Sequence, residues 1–320
     1  MKSTVNGIAR SALSAGMLAS ALLLASCGGS TGTQVQIFVA SRVIAFGDES
    51  SLITSTQKKY SVNALATDST TELNCAANPI WVQLVADYFN HMVFPQCPGA
   101  VVDPVSRIRA TEGATVADLA GQIDRQINLY GGFTGSDLVT VLVGANDVVA
   151  LFNQYPQVSQ NDLVSAARGL GLQLAAQVNR LADLGPRVLI STIPNMGLTP
   201  YAGVRSAGTA GPNSALLTSL STAFNNALLA RITNDGRRIG LIQLDEYLLS
   251  LDNARAANTG NFSNTTSPSC TVALPDCTTL TQEPGALVSF WLWADNLHLG
   301  PNAQAGLASL AVSRIQTNPF

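Results

Sequence analysis

The chain carries little charge. Asp, Glu, Lys and Arg make up 12% of its 320 residues, and no run of like charge occurs. It therefore lacks the basic patch that phosphate backbones demand, which excludes nucleic acid as a partner. Histidine is scarcer still: His91 and His298 are the whole complement. No Cys-x-x-Cys pair occurs either. A zinc site has too few ligands to draw on, and no metal or other cofactor is expected. Past the N-terminal leader, no apolar run is long enough to cross a bilayer. The shortage of imidazoles also narrows the search: any chemistry needing a histidine base must use one of two residues.

What is present begins with a leader. Lys2 and Arg10 precede an apolar run over about 12–24, and Leu24-Ala25-Ser26-Cys27 closes it. The run is short for a membrane span and reads as the core of a signal peptide. Its ending resembles a bacterial lipobox, which makes Cys27 the expected lipidation site and first mature residue. Gly28 after the cysteine resembles the sorting pattern of outer-membrane rather than inner-membrane lipoproteins. The expected location is thus the cell envelope, tethered to a membrane by lipid alone. Removing 1–27 leaves 15 basic residues against 20 acidic ones, a net charge near −5. A Gly/Ser/Thr tether over 28–41 leads into one domain over 42–320.

Four cysteines remain: Cys75, Cys97, Cys270 and Cys277. In an oxidising compartment they imply two disulfides, with three possible connectivities. The local pairs 75–97 and 270–277 are the simplest. Residues 254–285 form an irregular insertion that carries the second pair.

From residue 42 onward, strand-like and helix-like segments alternate. RVIAF (42–46), 106–110, LVTVLV (138–143), RVLISTI (187–193) and 240–244 read as strands. Helical spacing marks 78–89, 115–130, 161–184, 215–233 and 301–315. In 115–130, Val116, Leu119, Ile123 and Ile127 share a face, and Gly131-Gly132 ends the helix. The pattern predicts an α/β fold with a five-stranded, mostly parallel sheet covered on both faces. Ligands bind such sheets at the carboxyl ends of the strands.

Four short motifs fall at or near such ends or before the last helix. They are Gly47-Asp48-Glu49-Ser50, Glu112-Gly113-Ala114-Thr115, Gly144-Ala145-Asn146-Asp147 and Asp295-Asn296-Leu297-His298. Asp295 lies three residues before His298, close enough to orient the imidazole and stabilise its charged form. His91 has no carboxylate evidently placed to do the same and reads as a helix-terminal residue. Gly113 can offer a backbone N–H and Asn146 a side-chain amide to a developing oxyanion. Taken singly, the glycine is equally an ordinary turn residue, and the asparagine an Asx turn or helix cap.

Together these motifs resemble blocks I, II, III and V of the SGNH, or GDSL-type, hydrolase family. Pro79-Ile80-Trp81 is similar to the family's tryptophan segment. The run 194–200 is similar to a mid-chain loop of its lipases, and 298–303 to the entry of its last helix. The resemblance spans about 42–316. It implies a flavodoxin-like three-layer α/β/α fold and ester hydrolysis without a metal, on lipids, acetylated glycans, polyesters or small esters. It also implies that His298, oriented by Asp295, draws a proton from a serine while Gly113 and Asn146 hold the oxyanion. Block I departs from the pattern, because Glu49 follows Asp48 where the family has serine. With one extra residue in the turn, Ser50 is the expected nucleophile, and Asp48 and Glu49 support it. Ser51 after a two-residue insertion is one alternative; a site with Glu49 in the serine's place is the other. The functional counterpart of that last alternative is a silent surface lipoprotein binding an acyl or glycan ligand. The runs 194–214 and 254–285 are expected to line or cover the pocket.

Overall fold

Strand β1 (Arg42–Gly47) is buried on both faces, because each successive side chain along RVIAFG meets a helical layer. Val43 and Ala45 belong to one apolar cluster, Ile44 and Phe46 to another. That double burial is what a parallel sheet sandwiched between helices requires. The computed structural model describes residues 38–206, 213–233, 236–318 and 320. The leader, Cys27 and most of the tether lie outside the described residues, as do 207–212 of the loop expected near the pocket.

The main sheet contains β1, β2 (Arg107–Ile108), β3 (Asp137–Leu142), β4 (Arg187–Ser191) and β5 (Ile239–Ile242). Its order is β2-β1-β3-β4-β5. All four pairings are parallel. This is the doubly wound order in which the crevice opens between β1 and β3, where the winding direction reverses. Register then decides what meets there. Gly47 pairs with Leu142, so β1 and β3 end side by side. Ile108 pairs with Ala45, so the loop after β2 leaves the sheet on the other flank of β1.

Helices α1 (Trp81–Tyr88), α7 (Leu244–Ala256) and α8 (Pro301–Thr317) cover one face. Helices α2 (Val116–Tyr130), α4 (Gln160–Asp183) and α6 (Asn213–Leu229) cover the other. In α2 the face expected from the spacing is the one that packs: Val116, Leu119 and Ile123 are buried. Each such side chain contributes roughly 1.5–3 kcal/mol. Gly131, at φ 78°, closes the helix in the left-handed region that glycine tolerates best. Two short helices, α3 (Ala145–Phe152) and α5 (Pro200–Ser206), escape the pattern, as does α7. Among the described residues, no helix is long and apolar enough to cross a membrane.

The segment expected to be an irregular insertion is more ordered than its composition implies. The last turn of α7 enters it, and β6 (Asn264–Pro268) pairs with β7 (Trp291–Trp293) as a small parallel sheet. The bridges are the local ones, Cys75–Cys97 and Cys270–Cys277. The Cys270 N–H donates to Ala294 O, and the Ala294 N–H donates to His298 O. The insertion is thereby tied to the stretch that carries His298. Tyr201, just past the run 194–200, also reaches it, because its N–H donates to Asn296 O. Beside the insertion, buried Lys59 extends its Nζ to the carbonyls of Cys75, Ala77 and Asn78 at 3.0, 2.7 and 2.9 Å. Burial pulls its pKa down to about 8. It serves as a clamp on the loop before α1.

Candidate active site

The site is assembled by three chain turns that need glycine. At Gly47 the backbone takes φ +117°, and a Cβ there would sit 1.9 Å from Leu142 O. At Gly144 φ is +124°, and a Cβ would strike the Phe224 ring at 2.4 Å. The chain can leave β1 and β3 at this angle because both residues lack side chains. Gly113, at φ +70°, turns the loop after β2 so that its N–H points inward. Gln122 of α2 ties the Gly47 turn to the Gly113 loop: its Oε1 accepts the Gly47 N–H, and its Nε2 donates to Gly47 O and Thr111 Oγ1. Asp147 ties the Gly144 turn to the Gly113 loop by accepting the Val116 N–H at 3.0 Å. Burial pushes its carboxyl up to about 6.

After Gly47, residues Glu49–Ser51 form a single 3-10 turn, capped by Asp48, whose Oδ1 accepts the Ser50 N–H. This turn settles which side chain faces the site. Glu49, its first residue, points its carboxylate into the donors. The Gly113 N–H donates to Glu49 Oε2 at 2.8 Å, and Asn146 Nδ2 donates to the same oxygen at 3.1 Å. Asn146 also approaches Oε1, at 3.3 Å, and is itself aimed by a bond to Ala114 O. The Glu49 backbone amide adds a further bond to the carboxylate. His298 Nε2 lies 3.2 Å from Oε1. On its other side, Nδ1 meets both oxygens of Asp295 at 2.9 Å. Asp295 is fixed in turn by the N–H groups of Leu297 and His298.

The expected geometry is therefore present with one substitution. His298, Asp295, Gly113 and Asn146 converge as the motifs imply. The group hydrogen-bonded to His298 is the Glu49 carboxylate, where the hydroxyl of Ser50 was expected. The physical reason is the turn's register: with no extra residue accommodated, Glu49 comes first, and Ser50 follows with its N–H held by Asp48. Ser51 is buried, and its Oγ accepts the Trp81 Nε1–H at 3.2 Å, so it belongs to the core. His91 is the expected helix-terminal residue just past α1, but it does have a carboxylate beside it. It is exposed and paired with Asp87, one turn earlier, at 2.9 Å.

Charge follows geometry. Burial disfavours an imidazolium at His298, but the hydrogen bonds and charges of Asp295 and Glu49 outweigh it and push the pKa up to about 10. Burial likewise opposes ionisation of Glu49 and Asp295. The imidazolium and the surrounding N–H donors reverse this and hold both carboxyls below their ordinary values. Beneath them, burial and the charge of Glu49 push Asp48 up to about 7. At neutral pH the resting site is a carboxylate–imidazolium–carboxylate chain, and His298 already carries the proton a general base must accept.

One neighbour of His298 had no signal in the sequence. The buried Tyr60 ring lies 5.6 Å from the His298 ring, centroid to centroid. Burial and a hydrogen bond to Glu112 raise the pKa of its hydroxyl. Tyr60 lies in an irregular stretch, so nothing in its spacing marks it as part of the site.

A family model described as GDSL-like Lipase/Acylhydrolase matches residues 43–310. Solved structures similar to this chain include phospholipase A1 from Streptomyces albidoflavus, at 13% identity and TM-score 0.47, covering 86% of this chain and 100% of that one. A member of the lipolytic protein G-D-S-L family from Veillonella parvula matches at 12% identity and TM-score 0.43, covering 85% and 96%. An acetylxylan esterase from Geobacillus stearothermophilus matches at 12% identity and TM-score 0.45, covering 89% and 98%. No curated protein matches. With the family model spanning nearly the whole described domain, the chain belongs to the GDSL-like lipase/acylhydrolase family of ester hydrolases.

Proposed function

We propose that this protein hydrolyses an ester bond with Glu49, rather than a serine, in the nucleophile's place. One observation supports this reading: the donors of the oxyanion hole and the Nε2 of the histidine all close on the Glu49 carboxylate. A serine route through Ser50, with Asp295 and His298 completing it, needs Glu49 to leave those donors and His298 to give up its proton. Both steps break charge-assisted bonds, worth roughly 1.5–3 kcal/mol each. The test is proton release from a panel of neutral carboxylic and sulfonic esters, followed by titration at constant pH. Turnover should be abolished in Glu49→Gln, unchanged in Ser50→Ala and unaffected by a fluorophosphonate. Fluorophosphonate labelling that vanishes in Ser50→Ala would restore the serine route.

The filled oxyanion hole also favours a second reading, a protein that holds an acyl or glycan ligand without turning it over. Saturable binding of such a ligand, with no Glu49-dependent hydrolysis of any ester in the panel, would select it.

For location, the reading is a lipid anchor on Cys27 at the outer membrane, supported by Leu24-Ala25-Ser26-Cys27 and the tether that follows. Labelled palmitate should enter the full-length protein in a bacterial host and be absent from Cys27→Ser. Equal labelling of the two would remove the anchor from the account.

A further inference from the structure

We propose that Glu49 is an alkyl-accepting nucleophile: its Oε1 attacks the sp3 carbon of a neutral alkyl electrophile, and the resulting glutamyl ester is hydrolysed in the oxyanion hole that already holds Oε2. This inference rests on the reading that Glu49 replaces the serine, and it names the substrate class.

The two oxygens of Glu49 are not equivalent. Oε2 takes the shorter bonds, from Gly113 N–H at 2.8 Å and Asn146 Nδ2 at 3.1 Å. Oε1 has His298 Nε2 at 3.2 Å and a longer contact to Asn146 at 3.3 Å. Attack on an acyl carbon is a poor use of this arrangement. It would form a mixed anhydride, and the substrate's developing oxyanion would find its donors already taken by Oε2. Attack on a saturated carbon develops no such oxyanion and needs no vacant hole. Carboxylates serve as covalent nucleophiles toward such carbons in other enzymes.

The first step forms the bond from Oε1 to carbon and breaks the bond from carbon to the leaving group, which departs with the electron pair. Glu49 loses its charge. His298 then has one carboxylate partner instead of two, and its proton passes to solvent. In the second step the oxygen of a water bonds to Glu49 Cδ while His298 Nε2 takes the water's proton. The carbonyl pair moves onto Oε2, which already faces Gly113 N–H and Asn146. Collapse breaks the bond from Cδ to Oε1. The alkoxide leaves with the His298 proton, and the new glutamic acid returns its proton to His298. The sum is R–X plus water giving R–OH, X⁻ and H⁺, and the water oxygen stays in Glu49.

The surroundings select a neutral substrate. Glu49, Asp295, Glu112 and Asp48 face or underlie the site, so an electrophile that is already anionic, such as an alkyl sulfate monoester, is repelled. Alkyl sulfonates and alkyl halides share the required chemistry.

The probes are methyl 4-nitrobenzenesulfonate and 1-bromobutane, used separately on the full chain. A single turnover in ¹⁸O-water should place the heavy oxygen in the Glu49 carboxyl, read by peptide mass spectrometry. His298→Gln should slow hydrolysis by about 10²- to 10⁴-fold. It should also accumulate one methyl or butyl group on Glu49. Glu49→Gln should show neither. Response to the sulfonate alone, or to the halide alone, assigns the leaving group within the proposed class. If wild-type protein hydrolyses carboxylic esters in a Glu49-dependent way but Glu49 gains neither alkyl group nor heavy oxygen, the alkyl route is overturned and the Glu49 reading survives. If no ester or probe is turned over in a Glu49-dependent way, both fall.

Discussion

Replacing Glu49 by serine should turn the protein into a fluorophosphonate-reactive esterase. The variant needs nothing else that the site does not already supply. Gly113 N–H and Asn146 Nδ2 lose the carboxylate they now hold and become free for a substrate oxyanion. The amide of residue 49, which now bonds its own carboxylate, joins them. His298 loses one of the two carboxylates that push its pKa up to about 10, so a neutral imidazole becomes accessible near neutral pH. Asp295 still orients Nδ1. A nucleophile, base and oxyanion hole that act as a unit contribute far more together than apart, so the gain should be large. Hydrolysis of p-nitrophenyl acetate should rise by at least about 10³-fold over wild type. Labelling should map to residue 49, and adding His298→Gln should abolish it. Wild-type protein that already turns over this ester as fast as Glu49→Ser would show that Glu49 is no barrier to acyl chemistry.

The sheet was legible because parallel strands buried on both faces announce themselves as short apolar runs. LVTVLV and RVLISTI could hardly be surface. Helices α2 and α4 carry their own stop signals, at Gly131 and Gly185-Pro186, and α8 carries its start signal at Pro301. What escaped was structure set by neighbours rather than by local pattern. Helix α3 begins inside block III, and its composition reads equally well as a loop. The β6–β7 pair joins segments about twenty-five residues apart through Thr- and Ser-rich sequence. At the site, identity and order of the donors were legible, since Asp295-x-x-His298 and Gly144-x-Asn146 are local motifs. The register of block I was not. Whether Glu49 or Ser50 faces His298 depends on a single 3-10 turn, and on Asp48 capping it rather than a bulge forming. Both registers use the same four residues, and they are separated by the bonds from Ser50 N–H and Ser51 N–H to Asp48 and from Leu52 N–H to Glu49 O. Tyr60 and Gln122 come into the site through tertiary packing alone.

Removing the imidazole should cost more stability than removing any other side chain of the charged cluster. In His298→Ala, Glu49 and Asp295 keep their N–H donors but lose the cation between them, while Asp48 lies close beneath. The side chains of His298 and Glu49 are only 12% and 10% exposed, so water screens little of the repulsion. Breaking such a buried pair costs about 3–5 kcal/mol. The dependence on pH identifies the cause. His298 has its folded pKa raised from 6.5 to about 10. The stability it brings is complete below about pH 6.5 and drains away as the pH rises toward 10. Glu49 and Asp295 are shifted downward from 4.5 and 3.8. Their contribution is complete above those values and is lost as the pH falls through the lowered ones. Asp48 is raised from 3.8 to about 7, so its ionisation erodes stability across that window. Wild-type stability from this cluster therefore peaks at about pH 4 to 4.5 and declines on both sides. In His298→Ala the decline between about pH 7 and 10 should disappear, and the deficit relative to wild type should shrink below about pH 4 as the carboxyls protonate. Urea unfolding at a series of pH values measures all of this. A variant as stable as wild type at pH 6, or one that keeps the alkaline decline, would mean that the three side chains are not joined as a charged chain in solution.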